Sequence, residues 1–165
     1  MAQFTHENVI GLVGVVTAGD PFLCVMEYCE KGSLQSYLKS HGSTMLLGEK
    51  VDIALGIARG LAYLHSLNFV HRDVAARNVL LSAIQEAKIA DFGLTREADE
   101  ERAYYRSKGT GALPVRWTAP EALENNRFSA ASDTFAYAIT LIEVFTDGET
   151  PYDCNCHTLN HFRCS

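Results

Sequence analysis

Apolar and polar positions change period several times along the chain. Residues 9–17 (V-I-G-L-V-G-V-V-T) and 22–28 (F-L-C-V-M-E-Y) are rich in β-branched and aromatic residues, which suit a pleated backbone. Between them Ala18-Gly19-Asp20-Pro21 is turn chemistry, so the two runs predict a hairpin. Gly32-Ser33 breaks the pattern, and Ser33 can cap a short helix over 34–40. From about Leu46 to Leu67 the period becomes helical: Val51, Ala54, Leu55, Ala58, Leu61, Ala62 and His65 recur at three- and four-residue steps. Short strands fit 69–70, 79–81 and 87–90, with polar loops between them. Residues 94–118 form a long polar stretch punctuated by glycine, and such loops in compact domains usually carry function. Phe128 to Phe145 predicts a second long helix, apolar nearly all round and therefore buried, with Ser132 or Asp133 at its cap. There is no internal repeat and no low-complexity segment. The result is an α+β chain, mainly helical, with a fragment of sheet at its start.

Composition narrows the class. At 165 residues, 47% of them hydrophobic, the chain can build one domain with a real core. A formal charge of −6 argues against a nucleic-acid partner, whose binding surfaces are basic. The most apolar run, T-F-A-Y-A-I-T-L-I-E-V-F (134–145), is too short for a membrane span and contains Glu143. The first residues, M-A-Q-F-T-H-E-N, have neither the basic start nor the apolar centre of a signal peptide. Five cysteines without regular spacing do not suggest a disulfide framework, and a reducing compartment is the simpler expectation.

One stretch interrupts the apolar pattern with dense hydrogen-bonding capacity. In V-H-R-D-V-A-A-R-N-V-L-L (70–81), His71, Arg72, Asp73, Arg77 and Asn78 lie between two strand-like runs. Asp91-Phe92-Gly93 follows, and Ala119-Pro120-Glu121 follows that. His71-Arg72-Asp73 with Asn78 five residues after Asp73 matches the catalytic loop of protein kinases, with Val74 in place of the usual Leu. Asp91-Phe92-Gly93 matches the metal-binding D-F-G motif and Ala119-Pro120-Glu121 the A-P-E motif. Each tripeptide alone is weak; all three in order and at family spacing are specific. The chain resembles the protein kinase family over roughly residues 5–153. Ala75-Ala76-Arg77 and Pro114-Val115-Arg116-Trp117-Thr118 resemble, more narrowly, the tyrosine kinases.

The resemblance implies a set of roles. Phosphoryl transfer is mostly positioning and charge neutralisation. Asp73 would orient the acceptor hydroxyl and take its proton. Asn78 and Asp91, hard oxygen ligands, would hold Mg²⁺ on the phosphates of ATP. Strands 79–81 and 87–90 would bring those two residues together across a hairpin. Pro114 and Trp117 belong to the acceptor platform, where Pro114 would pack on the substrate ring, and Arg77 would help hold its hydroxyl end. Met26-Glu27-Tyr28-Cys29 looks like the hinge between lobes. Met26 would be the gatekeeper, Glu27 and Cys29 would meet the adenine edge through their backbone, and Leu80 would lie beneath the ring. From periodicity alone, Met26 reads equally as plain core. Leu12, His71 and Phe92 would form part of an apolar spine, and Asp133 would hydrogen-bond the catalytic-loop backbone. Tyr104 and Tyr105 are candidate phosphosites, with Arg72 as the cation that would pair with the phosphate; the alternative is ordinary exposed loop residues.

The fold implied is protein-kinase-like: a mainly helical large lobe plus the last strands of the small lobe, truncated at both ends. Residues 1–153 read as a partial kinase domain and 154–165 as a divergent Cys/His-containing tail. These 165 residues contain no G-x-G-x-x-G loop and no V-A-I-K lysine, the parts that clamp ATP. The Arg that would pair with Glu121 is also not found, which would be costly if Glu121 were buried. Phe135 and Ala138 stand where Trp and Gly are usual. The function implied is transfer of the ATP γ-phosphate to a protein tyrosine, with this fragment inactive alone. The setting implied is the cytoplasm, or the cytoplasmic face of a membrane receptor. The alternative is a non-catalytic kinase-like binding or regulatory module. In the tail, Cys154, Cys156, His157, His161 and Cys164 could offer zinc ligands, but the spacing is not a standard one, and a truncation or altered frame is the favoured reading. His41 and His65 have no partner evident from sequence.

Overall fold

The computed structural model describes residues 4–98, 105–106 (backbone only) and 114–153. Strands β1 (Leu12–Val16) and β2 (Leu23–Met26) form the expected antiparallel hairpin, in register from Leu12↔Met26 to Val16↔Leu23 with a bulge between Leu12 and Gly14. Its apolar side chains are not covered: Val13, Val15, Phe22, Leu23, Val25 and Met26 are all exposed. Met26 is therefore not core. The chain then enters β3 (Gly32–Ser33) and α1 (Leu34–His41). Ser33 caps that helix as expected, its hydroxyl accepting from Ser36 N at 3.3 Å.

Helix α2 (Leu47–Ser66) is the spine of the domain. Its start is tied by Glu49, whose carboxylate accepts from Leu46 N at 2.7 Å. Ile53, Ile57, Leu61 and Leu64 repeat at three- and four-residue steps and are almost wholly buried; of the face expected from sequence Ala54 and Leu61 are buried, whereas Val51, Leu55 and Ala62 are exposed. They share a core with Leu34, Leu38, Val74, Val79, Leu81, Ile89 and Val144. Burying each such aliphatic side chain contributes about 1.5–3 kcal/mol. Gly60 is required by close packing: a Cβ there would lie 2.5 Å from the carbonyl of Asn8.

After β4 (Phe69–Val70), a 3₁₀ turn at Ala76–Asn78 leads into β5 (Val79–Leu81), which pairs with β6 (Ala87–Ile89); β3, β5 and β6 make one small antiparallel sheet. The segment expected as a bare loop over 94–118 contains three short elements. They are β7 (Arg96–Glu97), paired with β4, then β8 (Tyr105–Arg106), and a 3₁₀ turn at Val115–Trp117. Arg96–Glu97 and Tyr105–Arg106 lack the apolar character that marks the equally short Phe69–Val70, so sequence alone does not show them. Helix α3 (Pro120–Asn125) starts with Pro at its first turn and ends on Asn126 in the left-handed region. Strand β9 (Arg127–Phe128) pairs with β8, so the last helix, α4 (Ala130–Phe145), starts two residues later than expected. Its cap is Ser129, not Ser132 or Asp133: the Ser129 hydroxyl accepts from Ser132 N while Ser132 Oγ accepts from Ser129 N. Nor is α4 buried all round. Ala138, Ile142 and Phe145 lie exposed along one side. Among the described residues no helix is long and apolar enough to cross a membrane.

Candidate active site

The polar loop is assembled from below by one carboxylate. Asp133, 1% exposed in the first turn of α4, accepts from His71 N at 2.7 Å, from Arg72 N at 2.9 Å and from His65 Nε2 at 3.0 Å. Three donors on one buried carboxylate satisfy the charge that burial would otherwise penalise. The role expected of Asp133 towards the loop backbone is thus geometrically met. His65 does have a partner, and His41 too hydrogen-bonds Ser40 Oγ at 2.8 Å and stacks on Tyr37. The partner of His65 lies 68 positions away and was not legible from local pattern, whereas those of His41 are its neighbours one and four positions back on α1. Asp133 also holds Arg72 in a left-handed backbone conformation (φ 72°), which costs a non-glycine residue about 1–2 kcal/mol.

His71 is fully buried and neutral. Its Nε2 donates to the carbonyl of Ala90 at 3.0 Å, so Nδ1 is bare and accepts from Asp73 N at 3.3 Å. Burial pushes its pKa below the usual value, outweighing the upward pull of Asp133, the Ala90 carbonyl, Asp73 and Asp91. The imidazole therefore works as a rigid bracket joining the Asp73 loop to the strand that leads into Asp91.

Asp73 and Arg77, four residues apart, form an ion pair. The guanidinium of Arg77 also rests over the ring of Trp117, 4.6 Å from its centroid. Asn78 donates through Nδ2 to the carbonyl of Asp73 at 2.8 Å, which turns its amide oxygen away from that bond. The β5–β6 hairpin does what was expected of it. Val79 pairs with Ile89, and Ala90 N donates to the Asn78 carbonyl at 2.8 Å, so Asn78 and Asp91 end the two strands side by side. Asp91 is exposed and left-handed (φ 61°), with Oδ1 accepting from Gly93 N at 3.2 Å. Arg72 and Asp91 thus both hold left-handed backbone, as do five described non-glycine residues elsewhere.

The hinge-like segment lies on the same side of the sheet. Cys29 and Leu80 pack together with Ile10, Ala90 and Phe92. Glu27 N donates to Gly11 O and the Cys29 carbonyl accepts from Gly32 N. That leaves the Glu27 carbonyl and the Cys29 N–H as the backbone groups suited to a heterocycle edge. The Glu27 side chain folds back onto Gly11 N at 2.9 Å and Lys88 Nζ at 2.9 Å. The apolar spine differs from expectation in one member. His71 meets Phe92 edge-on at 5.4 Å, but Phe92 is backed by Phe4 at 5.1 Å, and Leu12 is not among the residues packed with it.

Pro114 is half-buried, and its carbonyl takes Trp117 N and Thr118 Oγ1, each at 2.9 Å. Trp117 Nε1 donates to Glu143 at 2.8 Å. Glu143 was missed as a site residue; the available signal was a lone carboxylate inside an apolar helix. Glu121 is exposed, so the burial cost expected for an unpaired carboxylate does not arise. Tyr104 and the 154–165 tail lie outside the described residues. The backbone of Tyr105 pairs with Phe128, whose ring carries the Arg72 guanidinium at 4.3 Å.

The donors fit a magnesium–phosphate group. The amide oxygen of Asn78 and the exposed carboxylate of Asp91 are hard oxygens, and Mg²⁺ commonly takes only one or two protein ligands beside phosphate oxygens and water. Among the described residues there is no cluster of three or more His, Cys, Asp or Glu that would form a closed protein cage instead.

A family model described as protein tyrosine and serine/threonine kinase matches residues 1–161. Ephrin type-A receptor 7 of Gallus gallus is 45% identical over 153 residues, covering 92% of this chain and 15% of the receptor. Ephrin type-A receptor 3 of Danio rerio is 45% identical over 153 residues, 92% of this chain and 16% of that receptor. Ephrin type-B receptor 2 of Gallus gallus is 44% identical over 154 residues, 92% of this chain and 15% of the receptor. The chain thus spans about one sixth of the length of these relatives.

Proposed function

The chain belongs to the protein tyrosine and serine/threonine kinase family, and from that premise we propose that it carries the catalytic end of a tyrosine kinase, transferring the ATP γ-phosphate to a protein tyrosine. The observation that supports this best is the convergence of Asp73, Asn78 and Asp91 around one bracket, His71, with Arg77 and Trp117 beside them. Asp73 would receive the proton of the acceptor hydroxyl, and its pairing with Arg77 keeps the carboxylate aimed. Asn78 and Asp91 would hold Mg²⁺, which when bound supplies charge neutralisation at the transferring phosphate. Met26, Glu27, Cys29 and Leu80 would form the adenine side. Tyrosine rather than serine is favoured by Ala75-Ala76-Arg77 and by Pro114 to Trp117. The pairing of Tyr105 with Phe128, under Arg72, favours a phosphosite at Tyr105 over an ordinary loop residue; Tyr104 shares that proposal from sequence. Because the relatives are receptors by name, the cytoplasmic face of a membrane receptor is the setting we favour.

Residues 1–165 alone would transfer phosphate poorly, because they contain no Gly-rich loop or strand lysine to clamp the nucleotide. That same lack is what favours the second reading, a kinase-like module that binds without catalysis. The test compares residues 1–165 with a chimera carrying a Gly-rich loop and a lysine-bearing strand before Met1. Both receive Mg-ATP with tyrosine and serine peptides. The chimera should label tyrosine only, and Asp73→Asn should cut its rate by about 10²–10⁴. Serine labelling, or a rate indifferent to Asp73→Asn, contradicts the tyrosine-kinase reading. Robust labelling by residues 1–165 contradicts the need for the clamp.

A further inference from the structure

Glu143 is wholly buried in the last turns of α4, and its position joins two parts of the site that do not otherwise touch through hydrogen bonds among the described residues. Its Oε2 accepts from Ala76 N, in the catalytic loop, at 2.9 Å and from Trp117 Nε1, in the acceptor platform, at 2.8 Å. Its Oε1 is buried with no hydrogen-bond partner. A mere strut between a helix and a loop needs only a neutral acceptor. A buried full charge with one oxygen unpaired is a costly way to make one.

The charge has somewhere to act. A carboxylate on the indole N–H enriches the ring with electron density, and the Arg77 guanidinium sits over that ring, 4.6 Å from its centroid. Arg77 in turn pairs with Asp73. The signs alternate from Glu143 through Trp117 and Arg77 to Asp73, so each member orients the next. We infer that Glu143 is a positioning residue: through Trp117 and Arg77 it sets the orientation of the Asp73 carboxylate and locks the acceptor platform to the catalytic loop. This rests on the tyrosine-acceptor reading for its functional consequence, but the linkage itself does not require catalysis.

Trp117 is the only tryptophan of the chain, so one indole N–H resonance reports the linkage without ambiguity. In ¹⁵N-labelled residues 1–165, Glu143→Gln should move that resonance upfield as the charged acceptor is lost. Asp73→Asn, which does not touch the indole, should also move it. It should fail to do so when Arg77→Met has removed the cation between them. An indole resonance that ignores Asp73→Asn, or moves equally in the Arg77→Met background, reduces Glu143 to a structural strut and overturns the proposal. Should Glu143→Gln not fold, Glu143→Asp keeps the charge but withdraws it by one methylene, and the resonance should still shift upfield. The functional arm is the dissociation constant of a tyrosine-containing peptide. It should weaken roughly tenfold in Glu143→Gln, the loss of one charge-assisted hydrogen bond, while Mg-ATP affinity stays within about twofold. Equal weakening of both ligands points to general loosening and counts against positioning. Failure of the unsubstituted chain to bind the peptide refutes the acceptor reading, while the indole shifts still decide the linkage.

Discussion

The β1–β2 hairpin and the loop from His71 to Asn78 distribute polarity in opposite ways. In the hairpin, Val13 is 71% exposed and Phe22 74%, although both are apolar. In the loop, His71 is fully buried and Arg72 and Asn78 nearly so, although all are polar. The physical difference is partnership. The hairpin is a two-stranded sheet with most of its apolar side chains exposed, a marginal arrangement by itself. The loop's polar groups are held by the donors and acceptors of Asp133, Ala90 and Glu143, which come from α4 and the strand end after β6. Of these two regions it is the polar loop, not the apolar hairpin, that is anchored to the core, and that is where the chemistry is proposed.

The sharpest way to break this contrast is Asp133→Ala. It strands His71 N, Arg72 N and His65 Nε2 at once, and should cost about 3–5 kcal/mol of unfolding free energy in urea, enough to unfold many domains. A loss below about 1 kcal/mol would show that the loop is held by something else. A smaller effect comes from pH. His71 has a folded pKa below its unfolded one, so stability is fully present above the unfolded value near 6.5 and is lost as pH falls below it, because the unfolded chain then takes a proton that the folded one resists. Melting temperature should decline from about pH 6.5 downward, and His71→Gln should flatten the first part of that decline. Smaller again is Ser129→Ala, which removes the cap of α4 and should cost about 1 kcal/mol by the same denaturation. At the far end, Phe22→Ser in the hairpin should change stability by no more than about 0.5 kcal/mol and should improve solubility. A loss of several kcal/mol there would mean that the hairpin is covered in solution.

Much of the fold was legible because its long elements are periodic. The 20-residue α2 shows in its three- and four-residue pattern, although the face it buries is not the one expected, and the hairpin shows in its β-branched content and turn residues. The short strands β7, β8 and β9 were not, since each contains an arginine and lacks the apolar pair that marks the equally short β4. The cap of α4 was misplaced because Ser129, Ser132 and Asp133 are all cap-forming types, and only tertiary demand sends Asp133 inward to the loop. In the site, Asp73, Asn78 and Asp91 announced themselves by spacing. Glu143, His65 and Phe4 did not, because their roles depend on contacts across 67, 68 and 88 positions respectively: to Ala76, Asp133 and Phe92.

The most direct test of the central claim is nucleotide binding with and without Mg²⁺, measured by calorimetry on residues 1–165 and on Asp91→Asn. Asn78 and Asp91 are proposed to meet the metal, so Mg²⁺ should tighten ATP binding several-fold in the unsubstituted chain and leave Asp91→Asn unchanged. Tightening of the same size in both, or in neither, would contradict the reading of this polar loop as a metal–phosphate site.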